Sequence, residues 1–173
     1  AANHVDVLAA ISGPVWVEGV NIHFYRTLTK VTFTFKKVAP VPDEVTIEKI
    51  EFQNVGKSGK LAMTEIPTTT TKNGKPKFVW SDVATGKVVS TLTDDATLMG
   101  DTFLMLPTDA FSATAKIVVT TNFGDREFLF SDIIAKNPHS WESGEYINYN
   151  LTISNETYQL SATPLEWTES PVN

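Results

Sequence analysis

No cysteine occurs among the 173 residues. That excludes disulfide frameworks, thiolate metal sites and cysteine nucleophiles together, and leaves the redox compartment open. Histidine is scarce too: His4, His23 and His139 are the whole supply and lie too far apart to form a spaced ligand set. No apolar run reaches membrane-spanning length, and Ala1-Ala2-Asn3-His4 offers neither a charged region nor an apolar core of a signal peptide. Positive charge is in deficit, with 14 Lys and Arg against 20 Asp and Glu, a net charge of -6 and a pI near 5.0. Nothing here would neutralise a row of phosphates, so a nucleic-acid surface is excluded. Helical periodicity is missing as well, since no window keeps a 3.6-residue apolar stripe for three turns. Only Asp6–Ala10, Arg26–Thr29 and Asp109–Phe111 are candidates for single helical turns.

What is present is short-range alternation. Ile147, Tyr149, Leu151 and Ile153 alternate with Tyr146, Asn148, Asn150 and Thr152; Asn155-Glu156 then reverses the chain into Tyr158, Leu160 and Ala162. This is the period of a strand with one buried face, returned as a hairpin. Trp141 and Gly144 precede it as a bulky anchor and a turn residue. Lys30–Lys36 alternates as cleanly, with Val31, Phe33 and Phe35 facing in, and Pro40 and Pro42 end it. Val45–Phe52 changes register near Lys49, which predicts a bulge. Gly56–Gly59 is expected to turn, Leu61–Ile66 to form a strand, and Pro67–Gly74 to form an exposed loop. Lys77–Trp80 and Lys87–Leu92 are expected as separate edge strands around a turn at Asp82–Gly86. Phe103–Leu106, Ala115–Thr121 and Arg126–Phe130 complete the set, the last two joined through Asn122–Asp125. Strands with turns every eight to twelve residues point to packed sheets.

Residues that carry chemistry are few. Asp94, Asp95 and Asp101 bracket a loop but lack the regular spacing of a calcium site, and solvated turn carboxylates are the ordinary reading. Ser143-Gly144 lacks the surrounding glycines and the helix of a nucleophile elbow. Gly56-Lys57-Ser58-Gly59 lacks the earlier glycine of a phosphate loop. Trp16, Trp80, Trp141 and Trp167 are candidates for stacking on sugars where exposed, although aromatics in such a fold are ordinarily core. No catalytic set, metal site or cofactor is expected.

Taken in order, Asp6-Val7-Leu8-Ala9-Ala10, the run Val20–Phe33, Phe103-Leu104-Met105-Leu106-Pro107, Trp141-x-x-Gly144 leading into Tyr149, and a closing Trp167 resemble the fimbrillin-like proteins of Bacteroides-type Gram-negative anaerobes of gut and mouth. The resemblance spans nearly the whole chain. Arg26 departs from it, standing where the family usually carries histidine in a Phe-x-His-x-Leu-x-Lys pattern. Precursors of the family begin with a lipoprotein leader and commonly an additional β-domain, so the resemblance implies the carboxy-terminal portion of a longer precursor or an unusually short member. It further implies a non-catalytic protein, routed as a lipoprotein to the outer membrane and cell surface, that builds or decorates a pilus. Its partners would be other fimbrial subunits, self or related, joined by strand addition, and a host protein or glycan. The candidate donor is the tail 163–173, in which Leu165 and Trp167 alternate. The other reading of Trp167 is that it closes this chain's own sheet, and Pro171 would limit pairing beyond it. A carbohydrate-binding surface lipoprotein domain is the alternative function. The fold expectation is an all-β, antiparallel two-sheet β-sandwich of transthyretin-like, Greek-key type. It has about ten strands in one domain over 1–173, with 1–14 and 163–173 as extended terminal segments.

Overall fold

The computed structural model describes residues 6–11, 23–38, 45–61, 70, 74, 76–91, 102–154 and 157–167. Its elements are β1 (Leu8–Ile11), β2 (His23–Arg26), β3 (Thr29–Lys37), β4 (Ile47–Leu61), β5 (Trp80–Thr91), β6 (Phe103–Met105), β7 (Lys116–Thr121), β8 (Gly124–Leu129), α1 (Phe130–Lys136), β9 (Tyr146–Ile153) and β10 (Tyr158–Leu165). Alternation decides the centre: Ile147, Tyr149, Leu151 and Ile153 of β9 are all buried, while the residues between them are not. Strand β10 runs back along β9 from Tyr158 opposite Ile153 to Leu165 opposite Tyr146. On the other side β3 lies parallel to β9, Lys30 opposite Tyr146 through Lys37 opposite Ile153, and β6 closes the order β10-β9-β3-β6. The second sheet, β5-β4-β7-β8, is antiparallel throughout, and β1 with β2 forms a small third sheet.

The two four-stranded sheets meet as a sandwich. Val31, Phe33, Phe103 and Met105 from one pack into a shared core with Ile50, Phe52, Ile117 and Val119 from the other. Phe52 sets the join, its ring edge-on to Phe103 at 5.0 Å and tilted on Phe33 at 5.8 Å. Each such side chain contributes about 1.5–3 kcal/mol through burial. Helix α1 adds Phe130 and Ile133 to the same core. Asp132 in its first turn and Lys136 in its last complement the helix dipole. The Asn137 N–H caps Ile133 O at 2.8 Å, after which Pro138 follows.

Several sequence expectations need correction. The β3–β9 pairing is parallel, because β9 reaches β3 only after the chain has passed through the second sheet and α1. Asp6–Ala10 and Arg26–Thr29 hold no helical turn; Leu8–Ile11 pairs with His23–Arg26, and Thr29 opens β3. Asp109–Phe111 is a bend without helix. Gly56–Gly59 does not turn but continues β4, the bulges between Gln53 and Val55 and after Gly56 absorbing the irregularity. Asp82–Gly86 likewise lies inside one long β5, where Asp82 takes a φ of +49°. The expected strand 126–130 stops at Leu129, since Phe130, Ile133 and Ile134 need one helical face to reach the core. The bulge near Lys49 is present, as a register shift between Ile47 and Lys49 against β7. The expected strand 62–66 and most of the loop 67–74 lie outside the described residues, as do Pro40 and Pro42.

One carboxylate is buried on the outer face of β4. Glu51 is 6% exposed, accepts a hydrogen bond from the Gln53 amide, and lies 3.0 Å from Lys87 Nζ and 3.6 Å from Lys49 Nζ. Burial pushes its carboxyl up. The hydrogen bonds from Lys87 and Gln53 and the charges of Lys49 and Lys87 outweigh that and hold it below the usual carboxylate value. A depressed folded value means stability present above the unfolded value and lost as pH falls through the folded one. Glu51→Gln is therefore expected to cost about 1 kcal/mol at pH 7 and progressively less as the pH falls from the usual carboxylate value through the lowered folded one. Thermal melts of both proteins across that range check it, and parallel curves would refute it.

Candidate functional site

The tail meets the sandwich at the edge strand β10. Leu160 and Ala162 face the core, whereas Thr163, Pro164 and Leu165 are exposed, and β9 is the only described strand that β10 pairs with. Pro164 is tolerated there because an edge strand need not donate at every rung. The outer face of this sheet is a ladder of amides and hydroxyls. Asn148 accepts from Thr32 Oγ1 at 2.8 Å and donates to Asn150 Oδ1 at 2.9 Å, and Asn150 donates to Thr163 Oγ1 at 2.9 Å.

At one corner this ladder gives way to cations and rings. Leu165 stands opposite Tyr146 and is 44% exposed. Lys30 Nζ lies 4.5 Å from the centre of the Tyr146 ring and 5.9 Å from that of Trp167. Arg26 lies over Trp167 at 4.2 Å and is ion-paired with the Asp6 carboxylate. Trp167 is thus half-buried against its own chain through contacts worth about 0.5–2 kcal/mol. Arg26, the departure from the family pattern, has its own local partners in Asp6 and Trp167.

A second cluster lies at the α1 end. Trp141 Nε1 donates to the Tyr149 hydroxyl at 3.1 Å, and His139 Nε2 lies 2.9 Å from the same oxygen. His139 Nδ1 is 2.6 Å from Asn137 O, which can only accept, so Nδ1 carries a proton, and in the neutral ring Nε2 receives the Tyr149 hydrogen. Burial pushes the Tyr149 hydroxyl far up, partly offset by the Trp141 donor, so it remains a neutral phenol. Next to it Glu142–Glu145 forms a turn, Glu145 N–H to Glu142 O at 3.1 Å, with Gly144 at a φ of +73°. The Gly144 N–H is bound by Leu28 O at 2.9 Å and the Glu142 carbonyl by Thr29 Oγ1 at 2.8 Å, which fixes the turn against β3.

Of the residues singled out in the sequence, the structure brings His139 and Trp141 together through Tyr149 and places Leu165, exposed, and Trp167, half-buried, on the tail. Ser143 is buried in the turn, and its hydroxyl has no hydrogen-bond partner among the described residues. Trp80 is half-buried, its indole N–H donated to Thr27 O at 3.3 Å. His4, Trp16, Asp94, Asp95 and Asp101 lie outside the described residues, as does the side chain of His23. Among the described residues no three of His, Asp or Glu gather as a metal-binding group. Sequence reading missed Lys30 as a neighbour of Trp167, because a strand's outer face carries no periodic signal beyond polarity.

The profile of a family described as fimbrillin-like matches residues 2–167. Among solved structures, the chain is similar to a proposed cell adhesion protein from Bacteroides uniformis, at 18% identity and a TM-score of 0.58 over 86% of this chain and 54% of that one. A proposed cell adhesion protein from Bacteroides ovatus is similar at 16% identity and a TM-score of 0.57, over 87% and 49%. The chain spans about half the length of these solved relatives, and at such identities the likeness establishes the fold. No curated protein matches the sequence.

Proposed function

The chain belongs to the fimbrillin-like family, and from that premise we propose that it is a non-catalytic fimbrial subunit or tip adhesin of the cell surface, joined to its neighbours by β-strand addition. Its place is a surface appendage reached by way of the outer membrane, and no helix among the described residues is long and apolar enough to cross a membrane. The observation that carries assembly is the tail at a sheet edge unpaired among the described residues: Leu165 is exposed, and Trp167 lies against Arg26 and Lys30. The cation–π contacts of Trp167 contribute about 0.5–2 kcal/mol, which a strand gaining a full ladder and side-chain pockets in a neighbour can replace. A polymer that does not close on itself needs donor and acceptor on different surfaces. Strand β5 supplies such a surface, a long edge at the far end of the other sheet with Val83 and Val89 exposed.

The test is a blot of sheared surface material from cells expressing the complete precursor, with and without boiling in detergent. The expected result is a heat-sensitive ladder of multimers that disappears in the Leu165→Asp/Trp167→Asp double variant and persists in Arg26→Gln, which frees the tail without altering it. A single band in every sample, or a ladder indifferent to the double variant, would overturn strand donation by this tail.

A further inference from the structure

We infer that the outer face of the β1–β2 sheet is the surface on which the next copy of this chain rests its β5 edge, the body-to-body half of the joint that the donated tail begins. This rests on the strand-donation reading above and adds a second contact surface to it.

The face breaks a rule that its neighbour keeps. Leu8 stands opposite Arg26, Ala9 opposite Tyr25 and Ala10 opposite Phe24. Residues opposite one another share a face, and the faces alternate along each strand. Ala9 and Tyr25 point inward, Ala9 buried and Tyr25 tilted on Phe78 at 6.5 Å. Leu8, Ala10, Phe24 and Arg26 therefore point outward. An antiparallel sheet with one face on the core ordinarily turns polar side chains to water on the other, and the Asn148–Asn150 ladder shows that pattern on the outer face of the sheet beside it. The small sheet instead holds out Leu8 at 52% exposure and Phe24 at 56%. By register the two are diagonal neighbours, about 7–8 Å apart. An apolar patch rimmed by charged side chains marks a contact surface.

Its position at the root of the tail decides what covers it. Arg26, on this same face, lies over Trp167 at 4.2 Å, and Phe24 is two residues away along β2, about 7 Å. Ala162 is buried in its own sheet, three residues before Leu165. With Ala162 kept there and Leu165 paired in a neighbour, the chain between them spans at most about 10 Å. The acceptor edge thus stands against the corner that Trp167 has left. Leu165 and Trp167 alone cannot bury the roughly 1,200–2,000 Å² of a stable contact, so the two bodies meet as well. On the acceptor side β5 carries exposed Val83 and Val89, with exposed Val79 just before it. Leu8 and Phe24 against these valines remove apolar surface from water on both sides. Asp6 already neutralises Arg26, so the contact covers no lone charge there.

The experiment uses cells expressing the complete precursor with a photoreactive benzophenone side chain in place of Phe24 or, as the control, of Phe123, which is similarly exposed but lies in the turn between β7 and β8. Irradiated, sheared surface material is expected to give, from position 24 alone, a band of twice the subunit mass that survives boiling, its cross-linked peptide mapping to 79–91 of the second copy. Leu8→Glu/Phe24→Glu should reduce the heat-sensitive multimers about tenfold, while the melting temperature of the monomer stays level because both side chains already face solvent. With the wild-type ladder present, four results would overturn this surface and leave strand donation standing: no dimer band from position 24, cross-links only to lipid, to another protein or outside 79–91, an equal yield from position 123, or a ladder unchanged in the double variant. No ladder from the wild type overturns strand donation and this surface together.

Discussion

Replacing Trp141 by alanine is expected to lower the unfolding free energy by about 3–5 kcal/mol, a large share of what a domain of this size has. Trp141 is fully buried and touches three aromatic rings edge-on: Phe111 at 4.9 Å, Phe130 at 5.4 Å and Phe52 at 5.7 Å. It therefore joins α1, the second sheet and the loop at Phe111 in one contact set. Its main chain also exchanges hydrogen bonds with Thr108, at 2.8 and 3.2 Å. Those survive in the variant, so the loss measures the side chain alone. Alanine leaves a void walled by rigid rings that cannot collapse inward, and it strips the Tyr149 hydroxyl of the donor it accepts from. Urea unfolding gives the number. Trp80→Ala, at a half-buried site, is the comparison and should cost clearly less; equal midpoints would show that the ring cluster is not the keystone of this end.

Gly144→Val is expected to cost about 2–4 kcal/mol, from two sources that add. At a φ of +73° a residue with a Cβ pays about 1–2 kcal/mol and a β-branched one more. The position is buried between Trp141 and β9, so the side chain must also be forced into packed surroundings, at about 1–3 kcal/mol. Gly144→Ala separates the two, because it keeps most of the backbone strain and little of the bulk. Chemical denaturation of both variants checks the ordering, and a valine variant as stable as the wild type would mean that the turn can change its shape freely. Since Glu142–Glu145 holds the first residue of β9 in register, the valine variant should also broaden the amide signals of Tyr146 and Ile147.

The β9–β10 hairpin was legible because alternation is a local property: each of Ile147, Tyr149, Leu151 and Ile153 announces its own burial, and all four are buried. Trp141 and Gly144 were legible for the same reason, as a large ring and a small residue placed before a strand. What local pattern cannot show is which strands become neighbours. Nothing in Lys30–Lys36 says that its partner lies at Tyr146–Thr152, or that the two run in the same direction. Helix α1 escaped because Phe130, Ile133 and Ile134 give barely two turns of periodicity, and Arg126–Phe130 alternates like a strand up to the residue where the helix begins. Glycine misled the reading of β4 and β5: Gly56 and Gly59 are where the chain passes close to Leu106, a added Cβ at Gly56 falling 3.3 Å from the Leu106 Cβ, and not where it reverses. The sequence singles out Leu165 and Trp167 of the tail by their alternation alone. The dock of the tail on Arg26 and Lys30 was not legible, since those residues are separated from it by most of the chain.

The parallel pairing of β3 with β9 fixes an order of events. Strand β3 is made early, yet the eight residues that flank it in β9 begin at Tyr146, and its other neighbour, β6, offers only Phe103–Met105. Until the chain is synthesised or threaded past Ile153, the sheet has no centre and Phe33 has no Tyr149 to lie against. Pairings this distant in sequence close slowly, after the local hairpins. A chain emerging amino terminus first thus stays pliable over β1 to β8, and this sheet locks into shape only when the β9–β10 hairpin arrives.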